Sequence, residues 1–403
     1  MNEENIKAYQ PAPAIPEEAN EREGLKTIRI KSKASDENKA LLEIEGVIDI
    51  PQAGKDSAIV VRDLSKGLFR QSLVGNNGVR IFKKIIAEKQ EKEDILFCID
   101  QSDTVYNRLS VFDKKFIIAL QILLSDLTKD RRKVLEDARN KNRENEPLEI
   151  PNLLKGIDIN GLPPVISDFL KFNGFSDKDI VVIIPGRDYF LKKYLGYTTI
   201  GGTERAKFMQ TLNKLRRGLL AWIWEAKEEN EEKLRFNSHV QIIQKYQSFI
   251  HKRKGGKREI SYYVFSLHPI LTYGIGNNYK TIPKNNAEIF HEIGDNEVLF
   301  TLYDKILTEA SYNFVAINKR GDTHYKTISE DEILKEVVGK DNKEIINHRK
   351  RLLDTIYNGL RILYDKGLLA ELITPPTKEE RHTAKENGKD IYIKLAISRK
   401  AFS

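Results

Sequence analysis

The sequence predicts an α+β protein in which one order of helices and strands occurs twice. The stretch 296–403 contains helical and strand-like patterns in the order helix, strand, helix, helix, strand, loop, strand. The stretch 110–268 shows the same order without obvious sequence identity, and two copies of an order are more informative than one. Helical and strand-like patterns before the first copy predict a further small α+β domain at 25–105.

The C-terminal copy shows the order most clearly. Its predicted elements are a helix at 297–310, a strand at 314–317, helices at 329–339 and 341–366, and strands at 368–373 and 391–397, joined by a polar loop. Ser329 and Glu332 form a capping box that opens the second helix, and Gly367 ends the third. This is the order of a winged helix, a helix-turn-helix variant whose third helix usually lies in a DNA groove.

The first copy follows the same plan, interrupted by an insertion at 129–179. Its predicted elements are a helix at 110–128, a strand at 180–184, helices at 187–195 and 203–226, and strands at 239–250 and 260–265. A hairpin loop at 252–258, the wing, joins the last two strands. We therefore predict two tandem winged-helix domains, at 106–280 and 290–403.

The N-terminal stretch carries less information. Residues 1–24 are acidic and contain proline, a composition typical of a disordered tail. After them we predict strands at 27–31, 40–50, 58–61 and 95–99, and a helix at 78–90. An arm, a dimerisation unit and a docking site for a partner all stay open as roles for this domain.

Charge indicates the class of partner. The formal net charge is +8, and the first 24 residues hold six acidic and two basic side chains, so the remaining 379 residues carry +12. A basic body suits a polyanion, of which DNA and RNA are the commonest. Lysine-rich solvated helices with no ligand are the alternative.

Enzyme, metal and membrane signatures are poor. The single cysteine, Cys98, excludes intrachain disulfides and a multi-cysteine zinc site. The sequence has no Walker-type phosphate loop, no His-x-His pair and no Gly-x-Ser-x-Gly elbow, and Tyr262 and Tyr263 are expected to pack within a wing strand. Nothing resembles a signal peptide or a membrane span. We expect a cytoplasmic protein without catalytic activity, metal or cofactor.

Three groups of residues are candidates for DNA binding. The face of the 203–226 helix opposite its apolar stripe carries Lys207, Gln210, Lys214 and Arg217, with Thr211 and Asn213 beside it. The hairpin loop, which has no carboxylate, supplies Lys252, Arg253, Lys254, Lys257 and Arg258. The third helix of the second copy supplies Lys343, Asn347, His348, Lys350 and Arg351. Gln and Asn can pair with adenine, and Arg and Lys with guanine or phosphate. A solvated helix face is the alternative for the 203–226 helix, and a smaller contribution to affinity or a protein contact is the alternative for the second unit.

At these residues the chain resembles the plasmid replication initiators that bind repeated origin sites, called iterons. Their first helices look like 112–120, Phe-Asp-Lys-Lys-Phe-Ile-Ile-Ala-Leu, and 300–306, and the third helix of their second unit resembles 348–354, His-Arg-Lys-Arg-Leu-Leu-Asp. The resemblance covers about 110–403; the 25–105 domain and the insertion depart from the family's pattern. It implies sequence-specific binding of double-stranded DNA in replication initiation, with a second copy of the chain and host replication proteins as further partners.

Two other functions stay open at this point. A transcriptional regulator could share the fold, but it needs an effector pocket or a dimer helix. A non-catalytic protein-interaction module could also be built on winged helices. Basic positions on one continuous face favour DNA binding, whereas their scattering favours the interaction module.

Overall fold

The computed structural model describes most of the chain beyond residue 108 and three strands before it. The described ranges are 58–61, 82–86, 91–98, 109–127, 156–227, 233–252, 259–268, 271, 279–283, 285–312, 323–338 and 343–398. The predictions for 1–24, 27–31 and 40–50 lie outside these ranges. Within them the fold is α+β, as predicted, with helices packed on small antiparallel sheets.

Nine α-helices and eleven strands lie in the described ranges. The helices are α1 Val111–Leu127, α2 Pro164–Phe172, α3 Arg187–Leu195, α4 Gly202–Arg217, α5 Asn286–Ile293, α6 Glu297–Tyr312, α7 Glu330–Val338, α8 Lys343–Asp365 and α9 Lys378–Glu386. The strands are β1 Ala58–Val61, β2 Phe82–Ile86, β3 Glu91–Cys98, β4 Ile180–Pro185, β5 Leu219–Lys227, β6 Lys233–Gln241, β7 Ile243–Lys252, β8 Glu259–Leu267, β9 Tyr279–Ile282, β10 Thr323–Ser329 and β11 Tyr392–Ser398.

The first copy of the predicted order is built on a three-stranded sheet, β4–β8–β7. Successive residues of a strand point to opposite faces, so β4 contributes to two cores. Ile180, Val182 and Ile184 join the core formed with α1, α3 and α4. Val181 and Ile183 join a second, smaller core. The helices predicted at 110–128 and 187–195 and the strand at 180–184 are confirmed.

The smaller core covers the opposite face of this sheet. It contains residues of a 3-10 helix, Ile159–Gly161, and of α2, packed on Phe249, Tyr262 and Val264. The C-terminal part of the predicted insertion is therefore a layer of the first unit, since it covers a sheet face that would otherwise expose apolar side chains.

The helix predicted at 203–226 is wrong beyond Arg217. Gly218 adopts an extended conformation (φ −67°, ψ 133°), and the chain continues as β5. Strand β5 pairs on one side with β3 and on the other with β6, forming a four-stranded sheet in the order β2–β3–β5–β6. The backbone groups of β5 bond to β3 and β6, so they do not form the helical hydrogen bonds that the apolar spacing predicts.

The same sheet corrects two further predictions. The helix predicted at 78–90 is wrong where the chain is described, because Phe82–Ile86 is strand β2, paired with β3. The strand predicted at 239–250 is two strands, β6 and β7, separated at Ile242, whose carbonyl accepts a hydrogen bond from the His268 amide. The predicted strands at 58–61 and 95–99 are present, as β1 and within β3.

The second copy has the same strand order in a smaller sheet. Strand β10 pairs with β11, and β11 pairs in turn with the 368–370 segment through a bridge between Leu369 and Ile397. The predicted strand 314–317 lies outside the described ranges, and the first strand of this unit within them is β10, which was not predicted. The strand predicted at 368–373 is wrong beyond this short bridged segment.

The loop between these last strands contains a helix, which corrects the prediction of a polar loop. Helix α9 begins after Thr377, whose side chain accepts a hydrogen bond from the Glu380 amide while the Glu380 carboxylate accepts one from the Thr377 amide. This reciprocal capping box satisfies backbone donors at the helix start. The predicted polar loop is therefore partly helical.

The two units share one continuous hydrophobic core. Helix α5, which was not predicted, lies between them in the chain and contacts α3 of the first unit and α8 of the second. Gly196, at the end of α3 with φ +74°, lies against Ala287 of α5 so closely that an added Cβ would overlap the Ala287 carbonyl. Close backbone packing of this kind fixes where α5 sits against the first unit.

Candidate nucleic-acid interface

Helix α4 contacts α3 through a bidentate ion pair and through buried aromatic rings. The Arg205 guanidinium donates to both carboxylate oxygens of Asp188, at 2.9 and 2.7 Å, and this contact lowers the pKa of Asp188. The buried aromatic rings of Phe190 and Phe208 pack edge to face beneath the contact, with centroids 5.9 Å apart. A bidentate arginine contact fixes orientation as well as distance. The outer face of α4 is therefore presented in a defined direction.

The outer face of α4 is a row of small and polar residues without a carboxylate. It comprises Thr203, Ala206, Gln210, Asn213 and Arg217, of which Asn213 is half-buried and the other four are exposed. Their spacing of three and four residues places them on one face, which extends roughly 21 Å along the helix axis. Below, these five residues are called the α4 row.

The α4 row keeps three of the six residues predicted on this helix and adds two. Gln210, Asn213 and Arg217 were predicted, whereas Thr203 and Ala206 were missed. The spacing in the sequence places them on the same face, Ala206 one turn and Thr203 two turns before Gln210.

Lys214, predicted on the exposed face, and Thr211, predicted beside it, are both buried, so their prediction as DNA-binding residues is wrong. Both are buried and bind Asp113 in the first turn of α1: the Thr211 hydroxyl donates to one carboxylate oxygen and the Lys214 ammonium to the other. Asp113 also accepts a hydrogen bond from the Ser110 amide at 2.7 Å. A buried carboxylate needs such partners, so these two side chains serve the fold.

Lys207 borders the α4 row and is bound within the protein. Its ammonium lies 2.7 Å from a carboxylate oxygen of Asp295, in the turn between α5 and α6, and both side chains are partly exposed, at 37% and 50%. The predicted residue is thus accessible, but it already has an anionic partner. An exposed ion pair of this kind contributes little net stability, so a stronger anion can replace the carboxylate.

The basic hairpin loop lies at the end of the β7–β8 ladder. The last pair of the ladder is Lys252 with Glu259, and the loop residues Arg253, Lys254, Lys257 and Arg258 lie outside the described ranges. The ladder itself is confirmed as the predicted strand pair. Tyr262 and Tyr263 are buried in it, Tyr262 stacked on Phe249 at 4.9 Å, so both pack as predicted.

In the second unit, α8 carries the third predicted group. Asn347, His348, Lys350 and Arg351 are exposed, and Lys343 begins the helix. His348 has non-helical backbone angles (φ −129°, ψ 22°), so the helix is kinked there and the first turn points away from the axis of the rest. The group is therefore divided between two helical segments rather than placed along one straight face.

A buried carboxylate of α7, that of Glu330, binds side chains of α8 and α9. Glu330 accepts hydrogen bonds from the Tyr357 hydroxyl and from Arg381 of α9, both at 2.8 Å. Arg349, beside the predicted group, binds Asp331 and approaches Glu330. These contacts join α7, α8 and α9, and they occupy one arginine that would otherwise add to the basic face.

The sequence predicts neither a membrane-spanning helix nor a metal site. None of the helices there is long and apolar enough to cross a membrane. Within the same ranges, no group of three or more histidine, cysteine or acidic side chains is placed to hold a metal ion. The expectation that the protein is not an enzyme stays a prediction.

Comparison with known proteins adds two structural likenesses. No family model matches the sequence, and no curated protein does. A selenomethionine derivative of domains 2 and 3 of RctB is 11% identical, with a TM-score of 0.39, and the match covers 84% of this chain and 98% of that one. A second structure of RctB domains 2 and 3 is 10% identical, with a TM-score of 0.35, covering 80% and 92%.

Proposed function

We propose that the chain is a sequence-specific double-stranded DNA-binding protein built from two tandem winged helices. The observation that carries this proposal is the α4 row, an exposed helix face free of carboxylates. The third helix of a winged helix is the element that enters the major groove, and α4 holds that place in the first unit. The strand order first, last, middle, found in both sheets, supports the same reading.

The chemistry of the α4 row suits base reading. The amides of Gln210 and Asn213 can each donate to and accept from the edge of adenine, and Arg217 can bind guanine or a phosphate. The small side chain of Ala206 allows close approach, and its methyl group can contact that of thymine. The hairpin loop, with five basic residues in 252–258, would hold the DNA backbone.

The sequence resemblance at 112–120, 300–306 and 348–354 supports a replication initiator that binds repeated origin sites of a plasmid or mobile element. In this proposal the DNA is the direct partner, and a second copy of the chain and host replication proteins assemble with it in the cytoplasm. Neither an effector pocket nor a catalytic group has a part in it.

Arg217→Ala should weaken binding to the cognate site by about 1–3 kcal/mol and relax base preference, because a base contact is lost. The cognate duplex is first selected from a random-sequence pool with the wild-type protein, and dissociation constants are then measured on it and on a scrambled duplex. Lys171→Ala is the matched control: it removes the same charge from an exposed position of α2, on the opposite side of the sheet.

Neutralising Lys252, Arg253 and Lys254 together gives the contrasting result in the same assay. This variant should weaken both duplexes alike and lower the salt dependence of binding by up to about three units, as expected for phosphate contacts. Equal effects of Arg217→Ala and Lys171→Ala, or a random pool from which the wild type enriches no sequence, would remove the basis of the proposal.

A further inference from the structure

The turn between α5 and α6 brings an anion to the edge of the α4 row. Lys207 lies four residues after Thr203 and three before Gln210, so it borders the row, and its ammonium is 2.7 Å from Asp295. Glu204, also on α4, is occupied by the Gly201 amide at 2.8 Å. A phosphate that approaches Lys207 therefore competes with the Asp295 carboxylate for the same ammonium group.

A second cation, the ammonium of Lys115, also interacts with Asp295. The buried ammonium of Lys115 donates to the Phe290 carbonyl at 2.6 Å and to the Gly294 carbonyl, so it caps the end of α5 one residue before Asp295. Burial lowers the pKa of Lys115 to about 8, and the charge of Asp295 opposes this effect. If Lys207 bound another anion, the charge of Asp295 would still be partly neutralised by Lys115.

We propose that Asp295 is an internal counterion of Lys207, which a phosphate of duplex DNA displaces when α4 binds. The inference rests on the proposed function, since it names what regulates affinity at the same helix. While the pair is intact, the carboxylate competes for the ammonium and repels phosphate, so contacts that do not depend on sequence are weakened. A duplex that also satisfies the base-reading residues binds more strongly, and it therefore displaces Asp295 more readily than a scrambled duplex does.

Asp295→Asn tests this counterion role. The variant should bind scrambled duplex about threefold more tightly, the scale of one partly exposed ion pair. Its salt dependence should steepen by up to about one unit, because one more phosphate is neutralised. Lys207→Ala should weaken binding more in the Asp295→Asn background than in the wild type, because the lysine is then fully committed to phosphate.

Asp177→Asn is the matched control, an exposed carboxylate in the turn before β4 whose loss changes the net charge equally. Equal tightening by both variants would show a general charge effect and overturn the inference, as would an identical effect of Lys207→Ala in both backgrounds. Thermal melts check folding, and Asp295→Ser repeats the test with a smaller side chain. If Arg217→Ala weakens binding while Asp295→Asn has no effect, only the counterion role fails. If the wild type binds no duplex, the proposed function itself fails.

Discussion

Asp113→Ala should lower the free energy of unfolding by about 3–5 kcal/mol, the cost of removing one partner of a buried ion pair. Asp113 is 1% exposed and binds Thr211, Lys214 and the Ser110 amide. Without the carboxylate, the Lys214 ammonium loses a buried ion pair. Urea denaturation of the wild type and the variant measures the difference.

Two comparisons make the Asp113 result specific. Asp168→Ala removes an exposed carboxylate of α2 and should change stability by no more than about 0.5 kcal/mol. Asp113→Leu combined with Lys214→Met replaces the pair by apolar side chains of similar size and should recover most of the loss. Similar stabilities of the Asp113→Ala and Asp168→Ala variants would show that Lys214 is not buried on Asp113.

Gly196→Ala should destabilise the chain by about 2–5 kcal/mol, because two costs add. The backbone of Gly196 is left-handed (φ +74°), a conformation that a Cβ disfavours, and the new methyl group would overlap the Ala287 carbonyl. Helix α5 would have to move away from α3, which opens the core shared by the two units. Denaturant unfolding, followed by tryptophan fluorescence and by circular dichroism, measures the loss.

Gly174→Ala separates the two costs. Gly174 is also left-handed (φ +81°), but an added Cβ would have nothing within 4 Å. This control should therefore lose only about 1–2 kcal/mol, the conformational cost alone. If both alanine variants lost the same amount, the backbones of α3 and α5 would not approach as closely as described.

Elements with local signals were predictable from the sequence. Helices α1 and α3 lie within about a residue of their predicted bounds, and Gly367 ends the last turn after α8 with φ +76°, as its position suggested. Capping residues and apolar periodicity act over a few residues, so a short window contains the whole cause. Helix α9 also has a local signal, the capping box at Thr377 and Glu380, although it was not predicted.

Elements decided by distant partners were not predictable in this way. Leu219 and Trp222 continue the apolar spacing of α4, but in the structure they pair with Cys98 and Ile95 of β3, more than a hundred residues earlier in the chain. Strand pairing over that separation leaves no trace in a local pattern. The length of α4 was overestimated for this reason.

The candidate site was half predictable for the same reason. Lys214 and Arg217 both stand opposite the apolar stripe of α4, and periodicity cannot distinguish them. The structure does, because Asp113 of α1 binds Lys214 while Arg217 stays exposed. Whether Lys214 is buried in an ion pair depends on Asp113, about a hundred residues earlier in the chain. Spacing therefore predicts the outer face of the helix but not which side chains stay exposed on it.

Photo-crosslinking tests most directly the central claim that the outer face of α4 contacts DNA. A photoreactive aromatic amino acid is placed at Gln210 in the α4 row or, as the control, at Phe172, which is 89% exposed on α2 across the sheet. Irradiation with the selected duplex should crosslink bases within the site from position 210 and none from position 172. Crosslinks from position 172 together with none from position 210 would contradict the assignment of α4 as the DNA-reading helix.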